Sequence, residues 1–328
     1  MSVLVTGGAG YIGSVTVEAL LAAGEDVIVL DDLSDGHREA VNASVPFYEG
    51  DVADAALLRK IADAHRPEQV VHFAGFISVP ESVANPLGYF ENNTAKMVRM
   101  LAFLRERGVK NVVFSSTAAV YGEPEYVPID EEHPQKPTNP YGLSKLFVEH
   151  ILDWLDAAHG TTHVALRYFN ASGATDAKGE AHHPENHLIP LVLQVPLGQR
   201  THVNIYGTDY PTPDGTCVRD YIHVADLADA HVKALGYLKE GGASRKINLG
   251  NGKGFSVKEV IAVAEKVTGM KIPAREEPRR SGDPSTLVAS AEKARTVLGW
   301  TPRFPELESI VRSAWNWHKA NPHGYTGH

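Results

Sequence analysis

Residues 6 to 13, Thr6-Gly7-Gly8-Ala9-Gly10-Tyr11-Ile12-Gly13, constrain this chain more than any other stretch, because a glycine-rich turn between an apolar run and a helix admits few folds. Ser2-Val3-Leu4-Val5-Thr6 is a β-prone run, and the stretch from Tyr11 to Ala23 places Ile12, Val15, Ala19, Leu20 and Ala23 at helical spacing before Gly24 stops it. In such a strand-turn-helix unit Gly7 permits the tight turn, Gly10 lets the backbone approach a pyrophosphate, and Gly13 lets the helix pack against the sheet. The N-H groups of Tyr11 and Ile12 then begin a helix whose N-terminus faces the anion.

A glycine turn alone is a weak signal, since glycines recur in turns for backbone reasons only. The next element strengthens it: Asp26-Val27-Ile28-Val29-Leu30 reads as a second buried strand and ends in Asp31-Asp32, eighteen residues after Gly13. A carboxylate at that place suits an adenosine ribose with free hydroxyls and repels a 2′-phosphate, so the expected cofactor is NAD. Further on, helical and strand-like patterns alternate. Strand candidates cover residues 45–48, 69–73, 111–115 and 162–168; helix candidates cover 53–65, about 89–107 and 141–159. That rhythm predicts an α/β fold with a Rossmann-type doubly wound parallel sheet over residues 1–170. Beyond Asn170 glycine, proline and histidine mix with short apolar runs, and residues 171–328 read as a smaller, mainly substrate-binding α/β region. A strand-helix segment near 215–238 returns to the core, helices are expected over 256–268 and 306–318, and the polar stretch 321–328 is expected to fray.

Charge narrows the partners. The net charge is -9 and no lysine or arginine run occurs, so neither nucleic acid nor an anionic membrane is expected as a partner. One cysteine, Cys217, allows no intramolecular disulfide, and no apolar run approaches membrane-spanning length; a cytoplasmic location is the expectation. The helix over 141–159 is apolar on more than one side, through Leu143, Leu146, Phe147, Val148, Ile151, Leu152, Trp154 and Leu155, so its spare face meets either another subunit or the second half of the chain.

Ser115-Ser116-Thr117 ends a predicted parallel strand, where open α/β sheets bind their ligands. Tyr141 and Lys145 follow Pro140 at i and i+4 on one helix face. An ammonium beside the phenol is expected to pull its pKa below the usual value of about 10, preparing Tyr141 for acid/base work near neutral pH. The spacing of the pair says little alone; in sequence with the strand-end hydroxyls and the glycine turn it becomes specific for an acid/base site.

These motifs together resemble the extended short-chain dehydrogenase/reductase family. His72-Phe73-Ala74-Gly75, the stretch from Ser115 to Gly122, Pro140 to Lys145, Leu166 to Asn170, Tyr206 to Thr212 and Val218 to Val224 are similar to its UDP-hexose 4-epimerases, over nearly the whole chain from Ser2 to Trp317. The resemblance implies an NAD enzyme that interconverts UDP-galactose and UDP-glucose without net oxidation, working as a homodimer. It implies Tyr141, Lys145 and Thr117 as catalytic residues. Cofactor contacts would come from Gly7, Gly10, Tyr11, Ile12, Gly13, Asp31, Asp32, Asp51, Val52, Phe73, Ala74, Gly75, Asn92, Ser115, Tyr141, Lys145 and Tyr168. Substrate contacts would come from Thr117, Tyr141, Asn170, Asn186, His187, Leu188, Asn204, Tyr206, Arg219, Arg280 and Asp283, with either Asn186 or His187 meeting the diphosphate. The two arginines also answer how an acidic chain holds a diphosphate.

Ile77 stands where many relatives carry a cofactor-touching lysine, and Leu287 where the family tunes room beside the sugar, so UDP-acetamido sugars stay open as substrates. UDP-pentose and UDP-glucuronate epimerases are further alternatives, and a non-catalytic NAD-binding sensor is a fourth. A 4,6-dehydratase would carry an acid/base pair after Thr117, where Ala118-Ala119 stand. His182, His183 and His187 invite a metal reading, but no cysteine lies near them and the implied chemistry needs none, so no metal is expected.

Overall fold

The N-terminal apolar run is strand β1 (Ser2–Thr6), and the glycine turn delivers it into helix α1 (Tyr11–Ala22). The computed structural model describes residues 2–280 and 283–325. Strand β2 (Asp26–Asp31), strand β3 (Phe47–Glu49), helix α2 (Ala55–His65) and strand β4 (Gln69–His72) follow. Asp54 caps α2 by accepting the N-H groups of Ala56 and Leu57. Two short helices, α3 (Val79–Ala84) and α4 (Pro86–Phe90), lead to α5 (Lys96–Glu106).

The single helix expected over about 89–107 is interrupted: Glu91–Ala95 forms a π turn between α4 and α5. The wider turn accompanies a set of bonds made by Asn93, whose amide accepts the Phe76 N-H at 2.8 Å and donates to the Phe76 carbonyl and the Ser144 hydroxyl. Next come β5 (Asn111–Thr117), α6 (Pro140–His159) and β6 (Thr162–Tyr168). Helix α6 begins with Asn139 accepting the Gly142 N-H, has Pro140 in its first turn, and stops at Gly160, which takes the left-handed conformation.

The second half begins with β7 (Asn170–Ser172), α7 (Leu188–Leu193), β8 (Val203–Tyr206), β9 (Val218–Arg219) and β10 (Tyr221–His223). Helix α8 (Val224–Lys239) and β11 (Arg245–Leu249) go back to the first half. Then β12 (Phe255–Ser256), α9 (Val257–Thr268), β13 (Ala274–Glu277), β14 (Thr286–Leu287), α10 (Glu292–Leu298) and α11 (Leu307–Ala320) complete the chain.

Seven strands make one parallel sheet in the order β11, β6, β5, β4, β1, β2, β3. Alternation along β1 sends Val3 and Val5 to one face, against α1 and α8, and Leu4 to the other, against α2, α5 and α6. Both faces are covered, as parallel sheets require. Strand order runs outward in opposite directions from β1 and β4, and at such a switch point the loops at the strand ends part to leave a crevice. A separate apolar cluster of α7, β8, α9 and α11, including Ile189, Val192, Ile205, Val260 and Ile310, gives the second half its own core.

Near the C-terminus the expected fraying is not found as far as Tyr325, whose hydroxyl bonds the Gly179 carbonyl and whose ring packs on Trp317 and His37. Residues 326–328 lie outside the described residues. Among the described residues, no helix is long and apolar enough to cross a membrane.

Candidate active site

Gly7 and Gly13 make the floor of the crevice possible. Gly7 has φ +70°, and a Cβ there would lie 2.5 Å from the Ala74 nitrogen; a Cβ on Gly13 would lie 2.1 Å from the Gly7 carbonyl oxygen. The β1-α1 turn can therefore approach the β4 end and still leave room above it. At the end of β2 the buried Asp31 carboxylate accepts the Ala9 N-H at 2.8 Å and the Leu33 N-H at 2.9 Å. Burial raises its pKa from the ordinary carboxylate value, with those two bonds opposing the shift. Asp32 also lines the crevice, where its Oδ1 accepts both the Ser34 N-H and the Ser34 hydroxyl. Farther along, Asp51 is held 2.6 Å from Lys96, a cation in the wall that the sequence did not single out.

The crevice is a cleft of about 870 Å³. Its wall includes every cofactor residue expected from the sequence: Gly7, Gly10, Tyr11, Ile12, Gly13, Asp31, Asp32, Asp51, Val52, Phe73, Ala74, Gly75, Asn92, Ser115, Tyr141, Lys145 and Tyr168. Ile77 and Leu287 line it as well.

At its centre the end of β5 meets the start of α6. Thr117 hydrogen-bonds the Tyr141 phenol. The Lys145 ammonium donates to the Ser115 carbonyl at 3.0 Å, and the Ser115 and Tyr168 hydroxyls bond each other. One turn further along α6, Glu149 pairs with Arg167 of β6 and accepts the Ser116 hydroxyl at 2.5 Å, so the helix is bolted to both strands. Burial lowers the Lys145 pKa to about 8.

The phenol departs from expectation. Burial raises the Tyr141 pKa above its ordinary value, opposed by the Thr117 bond, where a lowered value was expected from Lys145. The physical reason is that the ammonium is directed to the Ser115 carbonyl, while the phenol loses solvation.

On the substrate side Thr117, Asn170, His187, Arg280 and Asp283 line the cleft with Tyr141. Of the two alternatives, His187 lines the cleft, while the Asn186 amide bonds the Pro184 carbonyl within its own loop. Leu188, Asn204, Tyr206 and Arg219 are also outside the wall. Leu188 opens α7 and packs into the second core, as its apolar side chain favours. Tyr206 lies under the Arg280 guanidinium, 3.9 Å from it, and receives a bond from Asn204; Arg219 reaches Asp283 at 3.2 Å. These three therefore back the wall residues and do not form the surface.

Glu180 and His182 also line the cleft. Glu180 is 4% exposed, and only its proximity in space to His182 and His187 brings it into the site. Burial works against a charge on the His187 imidazole, while Glu180 and Glu185 favour the protonated ring.

The family model described as NAD dependent epimerase/dehydratase matches residues 3–250. Over 327 residues the chain is 55% identical to a UDP-glucose 4-epimerase of Lacticaseibacillus casei, covering 99% of each chain. A crystal structure of a UDP-glucose 4-epimerase superposes with a TM-score of 0.98 at 48% identity, covering 100% of both chains. Another from Bifidobacterium longum, in complex with NAD+ and UDP, gives 0.93 at 41% identity over 99% of this chain and 100% of that one. With a parallel sheet that opens at its switch point, and Thr117, Tyr141 and Lys145 gathered there, this chain belongs to the NAD dependent epimerase/dehydratase family.

Proposed function

We infer that this protein is a UDP-glucose 4-epimerase that uses NAD to interconvert UDP-galactose and UDP-glucose. The observation that carries the reading is the Thr117-Tyr141-Lys145 group at the middle of a single cleft, with the glycine turn and Asp31 at one side and Arg280 and Asp283 at the other. Relatives at about this similarity across the whole chain share that activity.

The residues fit the cofactor. The glycines leave a cradle that any Cβ at positions 7 or 13 would fill, the α1 N-terminus favours a pyrophosphate, and Asp31 keeps lone pairs free to accept ribose hydroxyls. Bound NAD supplies the acceptor, and then the donor, of the carbon-4 hydride, and its cationic ring favours a phenolate.

Tyr141 takes the proton of the sugar 4-hydroxyl as the carbon-hydrogen bond breaks, and gives it back to the 4-keto oxygen after the sugar has turned its other face. Thr117 bridges that oxygen and the phenol. Lys145, held by the Ser115 carbonyl, keeps a positive charge beside the phenolate and the nicotinamide ribose. Arg219 and Arg280 offset the diphosphate charge, joined by Asn170 and His187, while Tyr206 and Asn204 support the uridine side and Asp283 accepts its ribose hydroxyls. In this division of labour residues 1–170, with the return near 215–238, hold NAD, and residues 171–328 mainly hold the UDP-sugar.

The reading includes a homodimer. Val83 and Leu87 are 64% and 79% exposed on α3 and α4, and Trp154 is 76% exposed on α6, where Phe147 lies against Phe90. Exposed apolar side chains on neighbouring helices suit a second copy. Light scattering should give twice the chain mass, and a monomer would remove this part of the reading. A cytoplasmic location fits the free, buried Cys217 and is checked by cell fractionation.

The direct test incubates purified protein, without added cofactor, with UDP-galactose and separately with UDP-N-acetylgalactosamine, and resolves the 4-epimers by chromatography. Conversion of UDP-galactose alone is expected if Leu287 limits the pocket. Conversion of both gives the broader epimerase. No conversion even with added NAD sinks the hexose assignment and moves the pentose, uronate and binding-only readings forward.

A further inference from the structure

Glu180, His182, Glu185 and His187 each offer one potential ligand atom, and these four atoms all lie within 4.8 Å of one another. They sit in the loop between β7 and α7, over the start of α1, where the Tyr11 ring stands edge-on to His182 with centroids 6.5 Å apart. The hydrogen-bond pattern is overloaded at the centre. His187 Nδ1 is 2.7 Å from a Glu180 oxygen and 2.8 Å from a Glu185 oxygen, so one ring proton faces two carboxylates. The same Glu180 Oε1 also meets His182 Nδ1 at 3.2 Å. Glu185 is aimed by the N-H groups of Asn186 and His187, both at 2.7 Å. A cation at the point of convergence would satisfy all four atoms together, where protons can serve them only in turn.

Charge leads to the same place. Glu180 is 4% exposed, and its carboxylate lines a cleft shaped for polyanions. His182 and His187 already pair with these carboxylates, and a divalent cation would replace that pairing with a two-carboxylate, two-imidazole set that is neutral overall. Mixed nitrogen and oxygen donors exclude the all-oxygen preference of calcium and magnesium and suit zinc, whose closed four-coordinate sites are structural. Tetrahedral zinc with bonds of about 2.1 Å sets ligand atoms about 3.4 Å apart, so the contacts of 2.7–3.2 Å would open a little and the widest separations, up to 4.8 Å, would close.

We propose that Glu180, His182, Glu185 and His187 form a structural zinc site that fixes the 180–187 loop against the start of α1. Carboxylates supply what the missing cysteine would have supplied, so the sequence expectation of a loop without metal gives way to this reading. The site does not depend on which sugar the enzyme takes, and its test does not use turnover.

Untagged protein is stripped with chelator, loaded with zinc chloride, desalted and assayed by elemental mass spectrometry. About one zinc per chain is expected to remain. His187→Ala and Glu180→Gln are expected to weaken retention by at least the roughly 10–100-fold that loss of an outer-shell partner costs. Clearly substoichiometric zinc in the parent protein, or undiminished zinc in both variants, overturns the proposal. Should the variants fail to fold, cobalt(II) in the parent protein decides: intense visible bands of tetrahedral cobalt support the site, and a weak octahedral spectrum refutes it.

Discussion

Tyr141→Phe protein retains its NAD and converts UDP-galactose about 10²–10⁴-fold more slowly than the parent, the range that a positioned acid/base contributes. The substitution removes one oxygen and keeps the ring that packs at the start of α6, so the cleft and its cofactor contacts on the glycine turn and Asp31 persist. What is lost is the atom that takes the 4-hydroxyl proton, together with the hydrogen bond from Thr117. Bound NAD is measured by releasing it with denaturant and reading its absorbance, and turnover by chromatography of the epimers. Near-parent activity in a variant that keeps its NAD would refute Tyr141 as the acid/base.

The second large effect concerns stability. Glu149 and Arg167 are both fully buried, and their pairing is supported by Ser116, Tyr121 and Asn248. Removing one charge of such a pair leaves the other without compensation in a dry interior, so Glu149→Gln should cost about 3–5 kcal/mol. Replacing both residues with methionine removes the unpaired charge. Part of the loss should then be recovered, with about 1–3 kcal/mol remaining for the Ser116 hydroxyl, which loses its acceptor. Urea unfolding at fixed protein concentration compares the three proteins. A single variant within about 0.5 kcal/mol of the parent would show that the pair is dispensable for stability, a change of the size seen at ordinary surface positions.

Sequence reasoning reached the features whose causes are local. The glycine turn, the hydroxyls ending β5 and the Tyr141-Lys145 spacing each lie within one strand, turn or helix, and they come together because parallel strands end on the same side. The π turn at Glu91–Ala95 left no mark on the apolar spacing, since its Asn93 bonds go to Phe76 and Ser144, which are remote in sequence. The phenol shift was misjudged because four-residue spacing fixes a helix face but says nothing of burial, nor that Lys145 turns to the Ser115 carbonyl. Arg219 meeting Asp283 and Tyr325 reaching Gly179 likewise depend on chain segments brought together only by the fold. For Glu180 a signal was present: an acid two residues before one histidine in a loop already rich in them.

The sheet's outer strand has a consequence for how the chain is made. β6 has β5 on one side only until β11, far along the sequence, arrives to pair with it. During synthesis at roughly 5–20 residues per second, the emerging chain carries that open edge for several seconds. An unpaired parallel edge is a template for any other strand, including one from a neighbouring nascent chain. The order of emergence from the ribosome thus opens an interval of exposure to aggregation, and a truncation before residue 245 would make that exposure of β6 permanent.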